Sequence, residues 1–218
     1  MFVYGLAAAA IAAIAATIAG DRQSKAYPWL KPLPLLIMLY TLQSGIEGPV
    51  PWLLSGYFLF CWLGDVALLV KRGFLLGLLA FLVGHLLLIA LLWQPLTLST
   101  TTMLLLALPA LIIGGSIARW LRPGSSLLRV GVTIYGASLV ILLMLSGLLC
   151  WQRGGLWCWT LVLVALFVLS DLLLAINRFR RPLAGAQRWI LSTYFSSQWG
   201  WTWFWPTALA VTPTLSFG

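Results

Sequence analysis

Between residues 2 and 210 the chain repeats one pattern: an apolar run of 15–23 residues, then a short break carrying charge, Gly or Pro. A helix needs about 20 apolar residues to cross the hydrocarbon of a bilayer. Eight runs qualify as spans: 2–20, 32–46, 52–70, 74–93, 100–118, 127–149, 156–176 and 188–210. The second is short, and the last is interspersed with Ser, Thr, Gln and Trp. Residues are 62% hydrophobic and 8% charged, and mean hydropathy is +1.02. A water-soluble domain carries charge on about a quarter of its residues. The pattern predicts an all-α polytopic bundle of eight transmembrane helices, with residues 1–218 as one integral membrane domain. The net charge of +9 is then no sign of nucleic-acid binding, because basic residues in membrane proteins gather in cytoplasmic loops.

Their distribution gives an orientation. Breaks after spans 1, 3, 5 and 7 hold 12 of the 13 Lys and Arg residues, and Arg153 alone follows an even-numbered span. The positive-inside rule makes the first set cytoplasmic and puts both termini outside. The opening "MFVYGLAAAAIAAIAATIAG" carries its charges after the apolar run, so an uncleaved first helix is expected instead of a signal peptide. Trp52, Trp93, Trp151, Trp157, Trp159, Trp201, Trp203 and Trp205 fall at the outer side and are expected as an interfacial belt. Cys61 lies within span 3 as a packing residue, while Cys150 and Cys158 flank a short outer loop where a disulfide is conceivable. No Cys/His spacing suited to a metal occurs, and no metal or other cofactor is expected. Oligomeric state stays open.

Against this apolar background the four acidic residues stand out. Asp21 and Glu47 fall in loops and are expected to be solvated. Asp65 and Asp171 lie inside spans 3 and 7, where an ionisable group costs about 2.5–3.5 kcal/mol or more. Their surroundings echo each other: "GDVALLVKRGF" at 64–74 and "SDLLLAINRF" at 170–179 both place Arg seven residues after Asp. Two parallel four-helix repeats related by an axis along the membrane normal would produce this. Each Asp then lies about 10 Å above its Arg, in the cytoplasmic leaflet. Lys31, Asn177, Tyr194 and Gln198 fall in the same layer, with His85 deeper. Buried polar residues also glue helices together, but two carboxylates at one depth with these neighbours point to a functional cavity.

Two carboxylates facing one substrate can divide acid–base work, one held protonated by burial and the other ionised beside a cation. That arrangement suits cleavage through an oxocarbenium-like cation. Neither a GxSxG element nor a GxxxxGK[ST] loop occurs. The competing reading is a lipid or proton-coupled transporter with the aspartates as a relay. Its weakness is that the polar layer lies toward one face of the membrane, whereas transporters bind near the midplane.

In order, "KP" at 31–32, "LGD" at 63–65, "FLVGH" at 81–85, "SDLLLAINRF" at 170–179 and "YFSSQ" at 194–198 resemble the YhhN, or lysoplasmalogenase, family of eight-helix membrane proteins. The resemblance covers residues 31 to 199. It implies hydrolysis of the vinyl-ether bond of a lysophospholipid, releasing a fatty aldehyde and a glycerophospho-alcohol, in a bacterial inner membrane with the site toward the cytoplasmic leaflet. Asp65 and Asp171 would be the catalytic pair, with both acid assignments open. Lys31 and Arg178 would hold the phosphate, and Asn177, Tyr194, Gln198 and His85 would hydrogen-bond the glycerol, the water or the carboxylates. Partners would be the lysophospholipid and membrane lipids.

Overall fold

The computed structural model describes residues 1–46 and 50–211, which form helices joined by short connections with no strand among them. The long helices are α1 (Phe2–Asp21), α3 (Leu33–Gly45), α4 (Trp52–Leu69), α5 (Phe74–Trp93), α6 (Thr100–Leu121), α7 (Ser126–Arg153), α8 (Cys158–Phe179) and α9 (Ala186–Val211). A single-turn helix, α2 (Tyr27–Leu30), precedes α3. Six of these helices, α1 and α4 to α8, are long and apolar enough to cross a membrane. The other two are the short and the polar run. α3 has 13 residues, about 20 Å of rise, less than the hydrocarbon thickness. α9 is long enough at 26 residues but carries polar groups, and it meets protein on several sides, packing on α1, α3 and α8. Ser197, Gln198 and Thr202 are fully buried there. Ser197 donates to Leu163 O, and Thr202 to Gln198 O one turn back. Polar groups at membrane depth need such internal partners.

Neighbouring spans pair as antiparallel hairpins, α1 with α3, α4 with α5, α6 with α7 and α8 with α9. α6, α7 and α8 run past the apolar sequence because their ends carry Arg119, Arg153 and Arg178, whose long side chains reach the interface while the backbone stays helical. Ser99 and Ser125 accept from the backbone N–H groups of Thr102 and Leu128, capping the starts of α6 and α7. α6 and α7 touch where Gly114 faces Gly136. Small residues let membrane helices approach closely enough for backbone packing.

The expected tryptophan belt divides. Trp52, Trp151 and Trp159 are exposed as a belt requires, but Trp157, Trp201 and Trp205 are buried in the core, Trp201 stacked on Trp205. The central position of α9 causes this, since its outer half faces neighbours instead of headgroups. Cys150 and Cys158 form a disulfide across the turn after α7, where Gly154 and Gly155 adopt positive φ. Arg153 in the same turn donates twice to Pro95 O, tying α7 to the α5–α6 connection. Asp21 is not simply solvated: it ends α1 and pairs with Arg188 at 2.8 Å, fastening α1 to α9 at the opposite, basic end. Glu47 lies outside the described residues.

The α6–α7 crossing gives a sharp test. A Cβ on Gly114 would lie 2.5 Å from Thr133 O and 2.7 Å from Ala137 N, both backbone atoms, whereas one on Gly115 meets nothing closer than 3.8 Å. Gly114→Ala should therefore cost about 1–3 kcal/mol through overpacking, and Gly115→Ala should be neutral. Thermal unfolding of both variants in detergent reads the difference.

Candidate active site

The sequence places Lys31 at the break between α2 and α3, immediately before Pro32. The break directs the lysine into the bundle, where it is 5% exposed. Its Nζ lies 3.2 Å from Asp65 Oδ1 and donates to Asp65 O at 3.3 Å. The other carboxylate oxygen, Oδ2, accepts from the Tyr194 hydroxyl at 2.9 Å. Asp65, itself 2% exposed, thus has one oxygen against a cation and the other against a neutral donor. A buried pair of this kind is strongly destabilised when one partner is lost, since the remaining charge has no compensation.

Asp171 has a different shell. The Tyr135 hydroxyl donates to its Oδ2 at 2.7 Å, and His85 Nε2 stands 3.9 Å from the same oxygen. No Lys or Arg among the described residues lies within ion-pairing distance of it. Ser138 explains how the histidine is oriented. Its hydroxyl lies 2.7 Å from Tyr135 O and 2.9 Å from His85 Nδ1, which holds the ring with its other nitrogen turned toward Asp171. Nε2 is buried with no hydrogen-bond partner among the described residues, and it faces Asp171. A buried polar atom left unpaired costs about 1–3 kcal/mol, so such an atom beside a carboxyl calls for a functional explanation.

Both aspartates line one cavity of about 300 Å³, together with Lys31, Asn177, Arg178 and Tyr194. Six of the eight residues expected from the sequence are thereby brought together. His85 and Gln198 do not reach the cavity. His85 stands behind Asp171, and Gln198 lies one turn beyond Tyr194, donating to the Tyr57 hydroxyl at 2.9 Å. Asn177 also has a structural task, its Oδ1 accepting from Leu183 N to shape the turn after α8. Lys31 is engaged with Asp65, not held at the mouth as a phosphate ligand. The exposed cations that line the cavity are Lys71 and Arg178, the latter lying over the Phe74 ring at 5.1 Å. Tyr27, which donates to Gln187, also lines it. Burial, and secondarily the Asp65 charge, raises its hydroxyl pKa, so Tyr27 remains a neutral donor.

Sequence reading missed Tyr135, Ser138 and Lys71. Tyr135 and Ser138 stand three apart in an apolar run, hence on one helix face, which is a readable signal. Lys71 was counted only as loop charge. Phe81 and Phe167 separate the two carboxylate shells, Phe81 meeting Tyr194 edge-on at 6.0 Å and Phe167 meeting His85 edge-on at 5.2 Å.

The shells also follow the order of spans. Asp65, on the third span, draws partners from the second and eighth, Lys31 and Tyr194. Asp171, on the seventh, faces partners on the sixth and fourth, Tyr135 and His85. Shifting every span by four maps one set onto the other, as a pair of four-helix repeats would require.

The YhhN family profile matches residues 26–203, a stretch containing every residue of this site. The chain belongs to the YhhN family. It is also similar to a pig (Sus scrofa) protein named Lysoplasmalogenase TMEM86B, 33% identical over 183 residues, which cover 83% of this chain and 76% of that protein. No solved structure matches.

Lys31→Met should cost about 3–5 kcal/mol by leaving the Asp65 carboxylate buried without its cation. Adding Asp65→Asn should recover much of that loss. Thermal unfolding of the two single variants and the double variant completes the cycle, and simple additivity would show that the pair is not coupled.

Proposed function

We propose that this protein is a membrane ether hydrolase that cleaves the vinyl-ether bond of lysoplasmalogens. The observation that carries the reading is the inequality of two carboxyls in one cavity: buried Asp65 is ion-paired, whereas partly buried Asp171 is bonded by a neutral phenol. The similarity to a lysoplasmalogenase supplies the substrate class. In this reading Asp171 is the general acid. Its Oδ2 is engaged by Tyr135, so Oδ1 carries the proton that passes to the vinyl β-carbon. The bond to that proton forms as the π pair is drawn from the double bond, leaving an oxocarbenium ion on the ether carbon. Asp65, the fixed negative charge across the cavity, stabilises that ion without needing to protonate.

Water then adds to the ether carbon. The new Asp171 carboxylate orients it and receives its proton, which restores the acid. The hemiacetal collapses, its hydroxyl proton passing to the departing glycerol oxygen, and the products are a fatty aldehyde and a glycerophospho-alcohol. One water is consumed and no net proton is lost. Lys71 and Arg178 at the mouth bind the phosphate, with Tyr27 as a neutral donor beside them, and Lys31 keeps Asp65 ionised. The 12-to-1 partition of basic residues supports a mouth in the cytoplasmic leaflet. The disulfide at the far end suits an oxidising outer compartment. A proton or lipid relay fits less well, because the Asp65 proton site is occupied by a buried lysine and the cavity lies toward one end of the bundle.

Purified protein in detergent should release aldehyde from a 1-alkenyl lysophospholipid and leave the saturated ether analogue intact. In D2O the aldehyde, trapped by reduction as it forms, should carry one deuterium on the carbon next to the carbonyl. Asp171→Asn and Asp65→Asn should each lose at least about 10²-fold in kcat. Turnover that persists in either variant would remove that residue from the scheme, and an inert wild type would remove the activity.

A further inference from the structure

Beside the polar cavity lies a second chamber of about 270 Å³, walled by α5, α6, α7 and α8 and closed at one edge by Leu68 of α4. Its lining is hydrocarbon except for the Tyr135 hydroxyl and the Asp171 carboxyl. The two spaces share Leu68, Phe74, Phe81, Asp171 and Leu174, so the carboxyl that we assign as the acid stands at their junction. Along α7 the chamber lining runs from Val132 to Leu143, eleven residues or about 16 Å of rise. Toward the bilayer its wall includes Ile113 and Leu172, which are 42% and 39% exposed, so a chain can enter sideways between α6 and α8.

We infer that this chamber is the binding site for the single aliphatic chain of the substrate, a specificity site distinct from the polar cavity and resting on the hydrolase reading above. A lysolipid with its phosphate at Lys71 and Arg178 then sets its glycerol beside Asp65. Its first chain carbons lie against Asp171, and the chain continues past Leu139 toward Leu143. The polarity boundary of the ligand, from oxygen to hydrocarbon, coincides with the boundary between the two spaces. The reactive bond sits at that boundary by construction. The larger apolar groove of about 740 Å³ between α1, α8 and α9 shares no lining residue with the polar cavity. A chain lying there would not bring its first carbons to either aspartate.

A saturated ether lysophospholipid with a diazirine at the chain terminus, photolysed on wild-type protein in detergent, tests the assignment without requiring turnover. Crosslinks on α6 and α7, around Ile113–Ile117 and Leu139–Leu143, support it. Crosslinks confined to Ala10–Ile18 or Trp199–Trp203 overturn it in favour of the larger groove. As a second measurement, Leu143→Trp should lower kcat/KM for a long 1-alkenyl chain by about tenfold or more relative to a short one. Retained short-chain turnover shows that the variant is folded. An unshifted chain-length profile in an active Leu143→Trp overturns the chamber while leaving the hydrolase reading intact. Chamber crosslinks with no aldehyde released by wild type would support the chamber and sink the hydrolase.

Discussion

A carboxylate in the last third of an apolar helix has to be neutralised or accompanied, and in this bundle the Lys31–Asp65 pair meets that requirement. Much else follows from it. Lys31 can reach Asp65 only because the chain breaks between α2 and α3, and α3 is correspondingly short. The remaining oxygen of Asp65 needs a donor, which fixes Tyr194 and with it the rotation of α9. α9 then turns Ser197, Gln198 and Thr202 inward, so the most polar of the long helices becomes a central one. One ion pair thus couples the start of α3, the middle of α4 and the first half of α9.

A buried ion pair adds little net stability compared with well-packed hydrocarbon of the same shape. In the proposed mechanism its value lies in a negative charge held in place by the surrounding helices. An oxocarbenium ion in a low-dielectric space is stabilised most by a negative charge already in place, because no reorganisation is needed as the cation forms. Mobile relays need the opposite property. The same geometry that makes Asp65 a poor proton carrier makes it a good fixed counter-charge.

Much of this was legible in the chain itself. Asp65 and Asp171 were conspicuous because charge inside an apolar run is expensive, and the recurrence of Arg seven residues after each set them at one end of the bundle. Lys31, Tyr194, Asn177 and Arg178 followed from depth alone, since depth along a helix is a one-dimensional quantity that sequence encodes. Rotation about the helix axis is not encoded in the same way when every face is apolar. Hence Lys31 was placed in the right layer but read as a phosphate ligand, and three outer tryptophans read as belt residues are in the core. The disulfide, by contrast, needed only a short loop, and it forms. Tyr135 and Ser138 were overlooked for a related reason: uncharged polar residues in a span are common, and only the contact with Asp171 and His85 gives them meaning.

The two shells differ in chemistry, and in the proposed mechanism that difference lets one carboxyl donate a proton while the other stays charged. If both aspartates had a lysine, both would be fixed anions and no proton could be donated. If both had a phenol, the cavity would hold no permanent negative charge to meet a developing cation. Lys31 beside Asp65 and Tyr135 beside Asp171 break the tie while keeping both carboxyls facing one space. The histidine adds the last asymmetry. Tyr194 on the eighth span donates to its carboxylate, whereas His85 on the fourth contacts Ser138 through Nδ1 and stands 3.9 Å from Asp171 Oδ2 through Nε2. In the proposed mechanism this difference suits reversible proton transfer at Asp171 and a standing counter-charge at Asp65.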